Sequence, residues 1–308
     1  MKLGVHEAIT REALRDQFTP DVLRFVVRSN LRSDDLHNQD FSAQHFDNCE
    51  LDKGVTLIGE LKRLAVSELT GVSNSSASLS AAGVSEKEGR LIFGLYAFGR
   101  LLHAIQDFYS HSNWINLTGP SSDLWPETPA GENLKSGYFK GLEDVVEAVA
   151  PSLSDRLRPI YLLDPCLKEV RHEKWVPRGD RDVRTTTYDR VRLSWAECRA
   201  ERSNFYEGYL RRDPVMRHGE LNKDENGTLA DLAFSWKHGV GGHAVAVEKT
   251  KNHSRSKWME ITKALGSDVT REVRRSGLTL EIAQSSDVDP IWYFLERTLY
   301  RSINPNCF

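Results

Sequence analysis

Apolar positions along this chain recur at three- and four-residue steps, and the elements they predict are helices. The strongest run is Ser85 to Ser110, where Leu91, Leu95, Phe98, Leu102 and Ile105 mark the face of a buried helix. From Val5 to Arg15 the apolar spacing is partly helical. Thr19-Pro20-Asp21 then reads as a helix start: a hydroxyl cap, a proline in the first turn and an acid near the positive dipole end. Gly54 to Ser67 is a further amphipathic run. Helical character resumes around 135–150, 189–210, 228–250 and 254–265, and Ile291 to Ser302 closes the series.

Three stretches interrupt this pattern and are expected to be loop insertions. Residues 73–85 are small and polar, 118–134 carry Pro120, Pro126 and Pro129, and 174–188 are rich in charge and threonine. No alternating pattern is long enough to support a sheet, and no internal repeat is present. The expected architecture is one all-α domain, a helical bundle over residues 1–308.

Composition narrows the function without choosing it. The chain has 308 residues, 39% of them hydrophobic, so a substantial core is available. A net charge of −3 and a pI near 6.4 give no electrostatic case for a nucleic-acid partner. Cys49, Cys166, Cys198 and Cys307 are scattered, with no CxxC pair, and are expected to be free thiols. The opening MKLGVHEAIT lacks the apolar core of a signal peptide, and no stretch approaches the ~18 apolar residues of a membrane span. The expectation is a soluble protein, cytoplasmic in its producer or exported by a route that reads no N-terminal signal.

The chemistry concentrates in LLHAIQDFYSHSNW, residues 101–114. His103, Asp107 and His111 are spaced by four and four, within an arc of roughly 80° on one helical stripe. Two imidazoles and a carboxylate stacked turn on turn can serve one metal site; the alternative is a solvated or capping polar stripe. Other candidates lie far away in sequence: His6, Asp34, Asp35, His45 in QHFDNCE, and His238 and His243 in KHGVGGHAVAVE.

HEAITREAL, then an aspartate followed by HFDNC, then LHAIQDFYSHSNW, in that order, resembles the zinc-dependent phospholipase C / P1 nuclease superfamily. The HFDN and HxxQDFYSHSNW strings are most similar to its Het-C-like branch, and LNKDENG (221–227) also fits. The resemblance runs from residue 6 to about 250. It implies a helical bundle around two or three divalent ions, usually zinc. Carried over by position, His6, Asp34 (with Asp35 beside it), His45, His103, Asp107 and His111 are the implied ligands. Asp107 bridges two metals in that scheme, and Asp107 and Asp34 are the carboxylates expected nearest the chemistry. The superfamily's late HxxxE/D pair is absent, since Val247 stands four residues after His243. His238 and His243 therefore both remain candidates for the last ligand.

Such a cluster suits phosphodiester hydrolysis. The expected activity is that of a phospholipase C acting on a phospholipid membrane surface, with a possible role as an effector toxin that has a cognate immunity or delivery protein. The alternatives are a P1-like single-strand nuclease and a non-catalytic recognition protein. The Leu117–Trp125 segment is a candidate for touching a bilayer, against the more ordinary role of aromatics as core anchors.

Overall fold

The computed structural model describes residues 3–35, 42–46, 50–71, 85–128, 134, 136–138, 167–178, 181–192, 216–217, 221–275 and 290–303. It divides into two compact units. One holds Met1–Lys140 and Pro214–Phe308; the other is Gly141–Asp213.

The first unit is built on helices. In chain order they are α1 (Leu3–Leu14), α2 (Pro20–Leu31), a 3-10 turn (Arg32–Asp34), α3 (Ser42–His45), α4 (Leu51–Leu69), α5 (Glu86–His111) and α6 (Trp114–Thr118). After the second unit come α7 (Leu229–His238), α8 (Gly242–Leu265), α9 (Ser267–Arg275) and α10 (Pro290–Ser302). Helix α5 is the axis of this unit. Every residue from Ile92 to His111 is buried, as expected of a helix enclosed on all sides rather than amphipathic. It packs against α2, α3, α4 and α8. Ser85 caps its first turn, accepting from the Glu88 amide at 3.4 Å, and Glu86 and Glu88 sit at the positive dipole end.

Helix α2 comes closest to that axis at Gly99. A Cβ there would lie 2.4 Å from Ser29 Cβ and 2.8 Å from the Val26 carbonyl oxygen, so only glycine lets the two backbones approach this far. Aromatic rings fill the core around the axis. Phe108 stacks on Trp125 at 3.5 Å, and Phe46 meets both rings edge-on.

The described part of the second unit is a two-stranded antiparallel hairpin, β2 (Leu167–Arg178) with β3 (Arg181–Arg192), in continuous register from Leu167↔Arg192 to Arg178↔Arg181. This corrects the reading that the chain has no strand-forming stretch. Residues 174–178 and 181–188 are strand, not loop, and residues 189–192 are strand, not the start of a helix. Thr185–Thr187 is a β-branched run, and Gly179-Asp180 stands between the strands in sequence, both ordinary hairpin signals. Dense alternating charge obscured them.

Two short strands belong to the first unit, β1 (Gly137–Tyr138) and β4 (Met216–Arg217). They pair in parallel, with Gly137 opposite Met216. Residues 136–138 are thus extended where a helix was expected. The remainder of 135–150, residues 193–210, the 73–84 insertion and all four cysteines lie outside the described residues. The expected 228–250 helix is broken in two at Gly239, which takes φ of +75° as the left-handed C-cap of α7. Among the described residues, no helix is long and apolar enough to cross a membrane.

Candidate metal centre

The four-residue spacing in α5 places His103, Asp107 and His111 one above another, and the fold brings the remote candidates to them. Asp107 is fully buried. Its Oδ1 lies 3.2 Å from His6 Nε2, and its Oδ2 lies 2.9 Å from both His103 Nε2 and His45 Nδ1. Asp34, at the end of the 3-10 turn after α2, faces the same two rings from another side: 3.7 Å to His6 Nε2 and 3.7 Å to His103 Nε2, one through each oxygen. The rings of His6 and His103 stack with centroids 4.3 Å apart. Two carboxylates therefore bracket two adjacent imidazole nitrogens.

Among the described residues, His6, Asp34, His103 and Asp107 offer ligand atoms that all lie within 4.8 Å of one another, and this buried group can hold a metal ion. The chemistry of the donors fits a cation. The two carboxylates bring two negative charges into a buried place, and uncompensated burial of charge is costly. Burial pulls His103 down to about 4, so that ring is neutral at pH 7 and does not balance the carboxylates by protonation. His6 Nε2 is buried and makes no hydrogen bond, although Asp107 Oδ1 is 3.2 Å away. Burial alone would raise the Asp107 carboxyl. The electrostatic pull of its surroundings outweighs burial and holds it well below the usual carboxylate range.

Each ring is oriented by its other nitrogen. His6 Nδ1 meets Gln106 Oε1 at 2.6 Å, His103 Nδ1 meets Asn30 Oδ1 at 3.2 Å, and His111 Nδ1 meets the His45 carbonyl at 2.9 Å. An oxygen acceptor at Nδ1 favours the Nδ1–H tautomer, the one that offers the Nε2 lone pair to a metal, while carboxylate oxygens face Nε2 of His6 and His103 from the other side. His45 ends α3, and Phe46 follows it with φ of +52°. That left-handed turn buries the Phe46 ring against the core and leaves His45 facing Asp107.

His111 lies beside the cluster. Its Nε2 is 3.9 Å from Asp107 Oδ1 and 3.2 Å from Asp224 Oδ1. Asp224 was not among the residues expected. It reaches the site because Lys223 fastens the 221–227 segment to the end of α5. The Lys223 amide donates to the Ser110 carbonyl at 3.1 Å, and its ammonium donates to the carbonyls of Ser112 (2.8 Å) and Leu221 (2.6 Å). Burial lowers Lys223 to about 7, with Asp224 and Asp231 pulling the other way.

The late histidines part company here. His243 Nδ1 meets the Lys223 carbonyl at 2.7 Å, and its amide donates to Asp231 Oδ1 at 2.9 Å, so it braces the segment that carries Asp224. His238 packs over Phe234 at 4.3 Å and falls outside the four-residue group. Asp35 is turned to Arg32, at 3.2 Å, leaving Asp34 as the aspartate of the cluster. Trp125 is a core anchor, with its ring on Phe108; Leu117 alone of the large apolar residues in the 117–125 segment is strongly exposed.

Residues 4–134 match the VWA7 N-terminal domain family, which covers less than half of the chain. That span contains His6, Asp34, His45, His103, Asp107 and His111, but neither Asp224 nor His243. No curated protein and no solved structure matches the chain.

Proposed function

We propose that this protein is a metal-dependent phosphodiesterase, and that its substrate is the head-group phosphodiester of a phospholipid. The observation that carries the reading is the convergence of three imidazole nitrogens, from His6, His45 and His103, within 3.2 Å of the one buried carboxylate of Asp107. The resemblance of the HFDN and HAIQDFYSHSNW strings to the zinc phospholipase C / P1 nuclease superfamily supports zinc as the metal and phosphodiester cleavage as the reaction.

His6, His103, Asp34 and Asp107 would hold one ion, with His45 beside them. Asp107 presents Oδ1 toward His6 and His111 and Oδ2 toward His103 and His45, an arrangement suited to a carboxylate shared between two positions. His111 and Asp224 would serve the second. When bound, such ions neutralise charge on a phosphoryl group and lower the pKa of water from about 15.7 toward about 7. The protein's own part is to fix the ligands and to admit the substrate. Most of the cluster is under a tenth exposed, but the side chains of Asp34 and Asp224 are 16% and 15% exposed, so solvent and substrate approach past these two carboxylates.

The test is phosphocholine release from phosphatidylcholine vesicles by zinc-loaded protein, with and without a chelator. Release that the chelator stops, and that Asp107→Ala lacks, is the expected result. A zinc-holding protein that leaves vesicles intact but digests single-stranded DNA would exclude the lipid substrate and favour the nuclease reading.

A further inference from the structure

We infer that Thr10 is a positioning residue that sets the tautomer of His6 and His103 together, acting through the side-chain amides of Gln106 and Asn30. This rests on the reading of the cluster as a metal centre. Thr10 lies one turn after His6 in α1 and is fully buried. Its hydroxyl oxygen accepts from Gln106 Nε2 at 3.0 Å and from Asn30 Nδ2 at 3.0 Å. The same two amides turn their carbonyl oxygens to the rings: Gln106 Oε1 to His6 Nδ1 at 2.6 Å and Asn30 Oδ1 to His103 Nδ1 at 3.2 Å. Thr10, Gln106, Asn30 and both histidines are all buried, so water does not offer substitute partners.

One hydroxyl carries one proton and two lone pairs. With both lone pairs taken by amide N–H donors, both amides are held with their carbonyls toward the rings. A turned amide would aim its NH2 group at Nδ1, place the ring proton on Nε2 and direct it at Asp107 and Asp34, closing that nitrogen to a cation. Turning an amide also requires the hydroxyl proton at its carbonyl. The single proton cannot serve two carbonyls, so the two amides cannot both turn. Thr10 thereby couples a helix α1 ligand to a helix α5 ligand without touching the metal position itself.

The test begins with metal-free protein carrying 15N-histidine, with His6 and His103 assigned by their loss in His6→Gln and His103→Gln. Nitrogen shifts and long-range couplings are expected to report Nδ1–H at both rings. Thr10→Val, close in shape but without the hydroxyl, is expected to change the tautomer of at least one ring. It should also weaken zinc binding by about 10- to 100-fold in competition with a chromophoric chelator, the usual cost of losing an outer-shell partner. Thr10→Ser keeps the oxygen and is expected to restore both readouts. Nε2–H at both rings of the unaltered protein would overturn the inference, as would wild-type zinc affinity in folded Thr10→Val. If Thr10→Val does not fold, the unaltered protein and Thr10→Ser still decide the matter. Nδ1–H rings in a protein that takes up no zinc would uphold the Thr10 network and overturn the metal reading instead.

Discussion

Asp107 is a carboxylate without exposure to water, faced by three imidazoles and bracketed with a second carboxylate. Its replacement by alanine removes a ligand from each proposed ion position. Zinc affinity is expected to fall by more than the ~100-fold typical of outer-shell losses, while far-UV circular dichroism keeps the helical signal. Acid sensitivity follows from His103, whose ring is pulled from its ordinary 6.5 to about 4 by burial. Between those values the unfolded chain binds a proton that the folded chain does not, so stability falls as pH drops from about 6.5 to 4. The loss should amount to roughly 3 kcal/mol in metal-free protein. Urea melts across that range are expected to show the slope in unaltered protein and a flatter one in His103→Gln. The His103, Asp107 and His111 stripe was legible because helical spacing is periodic. Thr10, Asn30, Gln106 and Asp224 were not, because amides, hydroxyls and single acids carry no spacing signature and gain their roles only when α1, α2 and the 221–227 segment meet α5.

At the scale of elements, the approach of α2 to α5 decides whether Asn30 reaches His103, and Gly99 permits that approach one turn before His103. Gly99→Ala would force a methyl against Ser29 and the Val26 carbonyl. The expected cost is about 1–3 kcal/mol from overpacking, read in urea melts, with zinc affinity falling alongside. A second brace holds the 119–128 segment. Glu127 accepts from His253 at 2.8 Å and from Lys257, and His253 in turn meets the Tyr109 hydroxyl at 3.1 Å. Burial would raise Glu127, but these two donors hold it below the usual carboxylate range. Glu127→Gln is expected to cost about 1–3 kcal/mol, since hydrogen bonds to charged groups are lost, with little effect on zinc affinity. The helices around both braces were legible from apolar period, and α2 also from Pro20 and Asp21 in its first turn, although the expected Thr19 hydroxyl cap makes no hydrogen bond. The hairpin was not, because its strands carry charges on both sides of the alternation and no apolar face announces them.

At the scale of the molecule, the first unit is interrupted after Lys140 and resumes at Pro214, and the β1–β4 pair joins the chain close to the two ends of that interruption. Exit and return at one place are the mark of an inserted segment. Replacing residues 141–213 with a short Gly/Ser linker is therefore expected to leave the helical unit folded and its zinc affinity near that of the full chain, by thermal melts and chelator competition. Every role proposed for the buried cluster depends on its taking up a divalent ion. The direct measurement is calorimetric titration of zinc into the chelator-stripped 308-residue protein, beside Asp107→Ala. Saturable uptake of at least one ion per chain, lost in the variant, is the predicted result. No saturable uptake by protein that is folded, or uptake unchanged in Asp107→Ala, would contradict it.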